Sequence, residues 1–191
     1  MFKAVYSDKQ HVVFLLTQAF KDNRSVNYVI GHNKYTTIRL YALMEYSFDM
    51  CFNFGEVYLS DNRAACALLL PPKSKRTNLC SVWLDIKLIF HAIGIGRIGI
   101  ALKRESAIKE LQYKGDIQYL WFIGVDPAHQ HKGLGTILLN EILAKSDQEG
   151  RPVCLETSTL KNLPWYENFG FEIYGKLDLG YELYFLKRDN R

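Results

Sequence analysis

Apolar side chains recur along this chain in two rhythms, and the switches between them mark out the elements. Residues 9–21 carry Val12, Leu15, Leu16, Ala19 and Phe20 at helical spacing, which predicts an amphipathic helix. The same period over 34–52 places Ile38, Tyr41, Ala42, Glu45 and Phe48 near one stripe of a second helix, punctuated by Gly55. A short strand is expected at 2–6. Residues 56–60, an Asp61-Asn62 turn and 64–70 read as a hairpin stopped by Pro71-Pro72. Ala64 to Leu70 is apolar throughout, as in a strand buried on both faces. Period alone would also allow a helix there; the turn and the prolines favour a strand.

After a polar, basic loop at 73–78, residues 79–112 read as mostly helical, interrupted around Gly94, Gly96 and Gly99. A strand covers 117–125. A helix covers 134–148, with Leu134, Ile137, Leu138, Ile142 and Leu143 toward the core. A strand at 153–157, a short helix at about 162–169, and strands at 171–175 and 181–187 complete the order. No repeat or linker divides the chain. The expected fold is one domain over 1–191, α/β or α+β, with a mixed sheet.

Composition changes this picture little. Of the 191 residues 48% are hydrophobic and 23% charged, which suits a packed core and argues against disorder. Net charge is +4, from 24 basic and 20 acidic residues, too weak to imply a nucleic-acid partner. The four cysteines (51, 66, 80 and 154) show no CxxC and no paired His, so no metal is expected. Cys66 and Cys154 sit in apolar strand-like runs and read as core residues. The start has no apolar stretch behind a basic one, so no secretory leader is expected. The most hydrophobic long window, 82–102, holds Asp85, Lys87, His91 and Arg97, which speaks against a membrane span. A cytoplasmic protein with free thiols is expected. Oligomeric state stays open between monomer and homodimer.

Two glycine motifs compete for chemistry. Gly94-Ile95-Gly96-Arg97-Ile98-Gly99 matches G-x-G-x-x-G, but a helical stretch precedes it instead of a strand. No strand with an acidic end follows at about 20 residues, so a break between two helices explains it better than a dinucleotide site. Gln130-His131-Lys132-Gly133-Leu134-Gly135 has the right setting. An apolar strand and an Asp126-Pro127 turn lead in, and an amphipathic helix leads out. Glycine lets phosphate oxygens approach the main chain, the first N–H groups of a helix lack partners, and the helix dipole favours an anion there. The loop is therefore a candidate pyrophosphate cradle, with Lys132 or His131 adding a cationic contact.

On these residues the sequence resembles the GNAT acetyltransferase superfamily. Gln130 to Gly135 satisfies its Q/R-x-x-G-x-G/A signature, and Phe122-Ile123-Gly124-Val125-Asp126-Pro127 looks like the strand and turn leading into it. Leu155-Glu156-Thr157-Ser158, Asn162 and Trp165-Tyr166-Glu167-Asn168-Phe169-Gly170-Phe171 are similar to the later motif. The resemblance implies a GNAT-like mixed, mostly antiparallel central sheet with a bulged central strand that splays from the next, flanked by helices. It implies acetyl-CoA as co-substrate, with pantetheine along Ile123, Gly124 and Val125. Pyrophosphate would lie on the N–H groups of 131–136, including His131, Lys132, Gly133, Leu134, Gly135 and Thr136, whose hydroxyl is also available. Asn162 is either a cofactor contact or a helix N-cap.

The implied reaction is acetyl transfer to a primary amine of a small molecule by direct attack, with Tyr166 as general acid to the departing thiolate. An aromatic packing role is the plainer alternative for Tyr166. The base is not assigned: Ile117 to Trp121 carries no carboxylate, where some family members have a glutamate. Glu56 and Glu156 are candidates, though each also reads as an ordinary structural carboxylate. Trp83, Phe90 and the glycine break either line the acceptor site as a lid or pack in the core. A protein lysine or N-terminus as acceptor, and a non-catalytic acyl-CoA-binding module, are the alternatives to a small-molecule enzyme.

Overall fold

The computed structural model describes residues 1–74 and 77–190. The basic loop expected at 73–78 therefore lies partly outside the described residues. Seven strands form one sheet in the order β1-β2-β3-β4-β5-β7-β6. They are β1 (Phe2–Lys3), β2 (Glu56–Leu59), β3 (Ala65–Leu69), β4 (Gln118–Val125), β5 (Val153–Thr157), β6 (Glu172–Asp178) and β7 (Glu182–Arg188). Every pairing is antiparallel except β4 with β5.

The helices are α1 (Lys9–Phe20), α2 (Arg24–Ile30), α3 (Thr36–Phe54), α4 (Leu79–Leu88), α5 (Ile98–Leu111), α6 (Leu134–Gln148) and α7 (Leu163–Asn168). One core lies between the sheet and α1 to α4, with Val12, Leu16, Met44, Phe48, Cys66 and Leu68 buried in it. A second lies on the other face under α6 and α7, with Ala67, Leu138, Ile142, Leu155 and Tyr166. Strand β3 is buried along its whole length because its alternate side chains enter these two cores, which is why its sequence is apolar without alternation.

Several expectations shift. The first strand ends at Lys3, because Val5 N–H donates to the Asp8 carboxylate (2.9 Å) and turns the chain into a 3₁₀ turn at Tyr6–Asp8. In α3 the buried side is Leu40, Leu43, Met44, Ser47, Phe48 and Cys51; Ile38 is 67% exposed, so the expected stripe was rotated. In α6 Leu139 is buried and Ile137 faces solvent. The last two strands run on to Asp178 and Arg188.

Helix α2 escapes the periodicity argument, having only seven residues, too few to be stable alone. Asn23 starts it, its side chain accepting from Val26 N–H (3.0 Å). Two arginines finish it: Arg39 donates to Ile30 O (2.8 Å), and Arg97 donates to Val29 O (3.2 Å) and to Tyr28 O. Asn23→Ala should cost about 1 kcal/mol in a denaturant titration, the usual loss of an N-cap.

The glycine break is a corner. Leu79–Ile93 meets Ile95–Leu111 at 95°, with a π turn at Ile89–Ile93 and a 3₁₀ turn at Ile95–Arg97 around Gly94. Among the described residues no single helix is long and apolar enough to cross a membrane, although this bent pair passes on length and composition.

Candidate active site

The sheet opens where the sequence placed the chemistry. Strands β4 and β5 pair only at Gln118 with Val153 and Tyr119 with Cys154; beyond that they part. On its other edge β4 pairs with β3 through a bulge: Leu69 faces Leu120 and Leu68 faces Phe122, so Trp121 is the extra residue. Asp126 N–H donates to Ala64 O (2.9 Å) on the β3 side. Ladder bonds alternate along an antiparallel strand, so the main-chain groups of Ile123 and Val125 face the open wedge. Gly124 serves packing as well: a Cβ there would lie 3.1 Å from Leu16 and 3.3 Å from Ala19, so its absence lets α1 press on the strand.

The loop after β4 is built from local bonds. The Asp126 carboxylate accepts from Ala128 N–H (3.0 Å) and lies 3.3 Å from His129 Nδ1; these contacts hold it below the usual carboxylate range. Gln130 Nε2 reaches back to Val125 O (3.4 Å), tying the loop to the end of the strand. His131 and Gly133 have positive φ (61° and 76°), which turns successive N–H groups the same way. Ile137 is the first to donate within the helix, to Gly133 O (3.0 Å). Among the described residues nothing accepts from the N–H groups of 131–136. A Cβ on Gly133 would meet no atom within 4 Å, so the cradle is open. Unpartnered donors, an exposed Lys132 and open space together fit a pyrophosphate. The Thr136 hydroxyl accepts from Trp165 Nε1 (3.2 Å) and keeps its own proton to donate.

Tyr166 lies on α7, 5% exposed, its ring packed edge-on to Phe171 (5.6 Å) and against Trp165 (4.8 Å). Burial pushes its phenol above the ordinary value, so it holds its proton at any physiological pH. Asn162 stands at the N-cap of α7 with helical φ/ψ and caps nothing through its side chain, so its amide remains available.

The two candidate carboxylates separate cleanly. Glu56 lies at the closed end of the wedge and is committed to Lys145 (2.9 Å) and Lys3 (3.6 Å). Glu156 lies on β5, two residues past the last β4 partner, and accepts from the Tyr119 hydroxyl across the gap. Its pKa is pushed up to about 7, chiefly by burial, with the Tyr119 hydrogen bond and Arg104 pulling the other way. Next to the tip of β5 is a cleft of about 400 Å³ lined by Arg24, Ser158, Leu160, Asp178, Gly180 and Tyr181.

Trp83 and Phe90 are 57% and 64% exposed, which removes core packing as their explanation. Helix α4 is joined to the strand bulge through Tyr46, whose hydroxyl donates to Asp85 (2.7 Å) and whose ring meets Trp121 edge-on (6.1 Å).

Tyr119 and the Arg104–Ser25–Tyr181 cluster were not singled out in the sequence. Arg104 donates to Ser25 Oγ (2.7 Å) and to the Tyr181 hydroxyl (3.1 Å), uniting three distant segments. No spacing rule connects residues 25, 104 and 181. Among the described residues no group of three or more His, Cys, Asp or Glu is placed to hold a metal. Cys51, Cys66 and Cys154 are buried and Cys80 exposed, all as free thiols.

A bulged strand, a wedge beside it and an anion cradle at its end define the acyl-CoA-binding class of acetyltransferase fold. Residues 87–173 match the family model for the acetyltransferase (GNAT) domain. Over 73 residues, 38% of this chain, the sequence is 41% identical to an uncharacterised N-acetyltransferase of Schizosaccharomyces pombe; the match spans 27% of that protein's length. The fold is similar to a Corynebacterium glutamicum structure described as histone acetyltransferase HPA2 and related acetyltransferase (TM-score 0.72, 18% identity, 100% of this chain and 96% of that one). It is also similar to arylalkylamine N-acetyltransferase 2 from Aedes aegypti (TM-score 0.64, 14% identity, 100% and 98%). A third likeness is to the ribosomal-protein-S18-alanine N-acetyltransferase from Escherichia coli (TM-score 0.53, 15% identity, 98% and 91%). The chain belongs to the GNAT acetyltransferase superfamily.

Proposed function

We propose that the protein transfers an acetyl group from acetyl-CoA to a primary amine of a small molecule. The observation that carries this reading is the continuity of the wedge with the cradle: a strand edge free of partners runs straight into unpartnered N–H groups. The main chain of Ile123 and Val125 pairs with pantetheine. The N–H groups of residues 131–136 hold the pyrophosphate, with Lys132 and the Thr136 hydroxyl beside it and the Asn162 amide at the opposite wall. Acetyl-CoA supplies the activated thioester; as the C–N bond forms, the C–S bond breaks and the sulfur leaves with the electron pair. Tyr166 donates its phenolic proton to that sulfur and is reprotonated by a proton shed from the acetylated nitrogen.

The acceptor approaches through the cleft between α2 and the β6–β7 turn, where Asp178 offers a negative rim to a cation. Its volume, about 400 Å³, suits a small ligand. The Aedes aegypti and Escherichia coli proteins show that this fold serves both small amines and protein termini. Thiol release from acetyl-CoA, measured with phenethylamine, spermidine and a lysine-bearing peptide, tests the reading. Turnover of the small amines supports it. Turnover of the peptide alone makes the acceptor a protein, and binding of acetyl-CoA without release for any amine makes the chain a non-catalytic module.

Trp83, above the bulge through α4, belongs to the acceptor side in this reading. Trp83→Ala should raise the acceptor KM about 5- to 10-fold, as for a contact made equally in ground and transition states, with acetyl-CoA affinity unchanged. Equal losses in both would mean plain destabilisation.

A further inference from the structure

We propose that Glu156 receives the ammonium group of the acceptor and takes its proton, which makes the site selective for primary alkylamines. The inference rests on the acetyl-transfer reading and deepens it. Glu156 is a half-buried carboxylate at the point where β4 and β5 part. Its Oε2 accepts from the Tyr119 hydroxyl. Its Oε1 accepts nothing among the described residues.

What sets this carboxylate apart is the lack of a counter-ion. Asp147 meets Arg188 (2.8 Å), Asp49 meets Lys9 (2.8 Å) and Asp8 meets Arg63. Glu156 has no cation within ion-pair distance. The nearest positive group, Arg104, spends its guanidinium on Ser25 and Tyr181. A sequestered carboxylate without a partner is costly, and proteins relieve that cost by protonation or by pairing. An ammonium at Oε1 would pair it.

The surroundings suit a base as well as a receptor. Tyr119 on β4, Arg104 and Glu105 on α5, and Tyr174 on β6 are the titratable and charged groups that act on or feel Glu156. Tyr119 is itself held protonated, chiefly by burial, so it donates to Glu156 and does not compete for the proton. With Glu156 pushed up to about 7, its basicity is matched to neutral pH. The proton step is simple in its balance. One N–H bond of the ammonium breaks with its electrons staying on nitrogen, an O–H bond forms at Oε1, and the neutral amine is then the nucleophile. Glu156 lies on the sheet face shared with Cys154 and Tyr119, whereas Tyr166 packs with Leu155 on the other. Base and acid thus flank the wedge from opposite sides.

The test is the pH dependence of kcat/KM with phenethylamine, alongside calorimetry with acetyl-CoA. Wild-type activity should rise through about pH 7 as Glu156 loses its proton. Glu156→Gln should lower kcat/KM about 30- to 100-fold and abolish that limb, with acetyl-CoA affinity unchanged. Tyr119→Phe removes a bond that lowers the Glu156 pKa, so the limb should move to higher pH with activity retained above it. A wild-type profile in Glu156→Gln overturns the proposal while leaving acetyl transfer intact. If Glu156→Gln loses acetyl-CoA binding, Tyr119→Phe decides: a limb that stays in place overturns the proposal. Release of no thiol by the wild type with any amine overturns both readings.

Discussion

Gly133→Asp should leave a folded protein that gives no measurable heat with coenzyme A. The left-handed φ of 76° at this position favours glycine, but aspartate is among the few side chains that adopt it at modest cost. A Cβ there meets nothing within 4 Å, so the protein itself has room for the change. The effect falls on the ligand. A carboxylate then stands in the ring of N–H groups at 131–136 and repels the pyrophosphate those groups would hold. A loss of at least 100-fold, about 3 kcal/mol, is expected. Gly133→Asn is the control: similar shape without charge, and most of the affinity retained. Unchanged calorimetry for the aspartate variant would remove the cradle, and with it the assignment of the wedge.

Tyr166→Phe should reduce kcat about 10²- to 10³-fold with little change in acetyl-CoA affinity. The ring is what packs: its contacts with Phe171 and Trp165 involve no hydroxyl, and phenylalanine reproduces them. The substitution therefore removes one proton donor and almost nothing else. Among the described residues that hydroxyl makes no hydrogen bond within the protein, so its removal strands no partner. Because burial holds the phenol protonated, the loss should be the same at pH 6 and pH 8 once the limb from Glu156 is accounted for. An unchanged kcat would return Tyr166 to an ordinary core aromatic.

The sequence made the wedge and its loop legible because their chemistry is local. Residues 117–136 carry strand, turn, cradle and helix start in one continuous stretch, and each step has its own residue signature. The strand at 64–70 was legible for a similar reason: a run without polar positions has few places to go in an α/β domain. The stripe on α3 was misread because Ile38 and Tyr41 are apolar yet exposed, while Ser47 is buried with its hydroxyl on Leu43 O (2.8 Å). Hydrophobicity reports what a side chain tolerates, and neighbouring elements decide what it meets. The same limit hid the environment of Glu156. Its identity was visible, but its lack of a cation depends on Arg104 turning to Ser25 and Tyr181, which only the folded chain determines.

Helix α5 grips α2 at both ends. Arg97, just before α5 begins, takes the final carbonyls of α2, and Arg104, two turns further along, holds Ser25 at its beginning. A seven-residue helix clamped this way has little motion of its own. Any rearrangement that admits or releases an acceptor past Arg24 must carry the two helices together, swinging about the Gly94 corner. Opening of the acceptor side is therefore tied to the mechanics of the stretch between β3 and β4, so amide exchange in α2 should slow or quicken in step with that in α5.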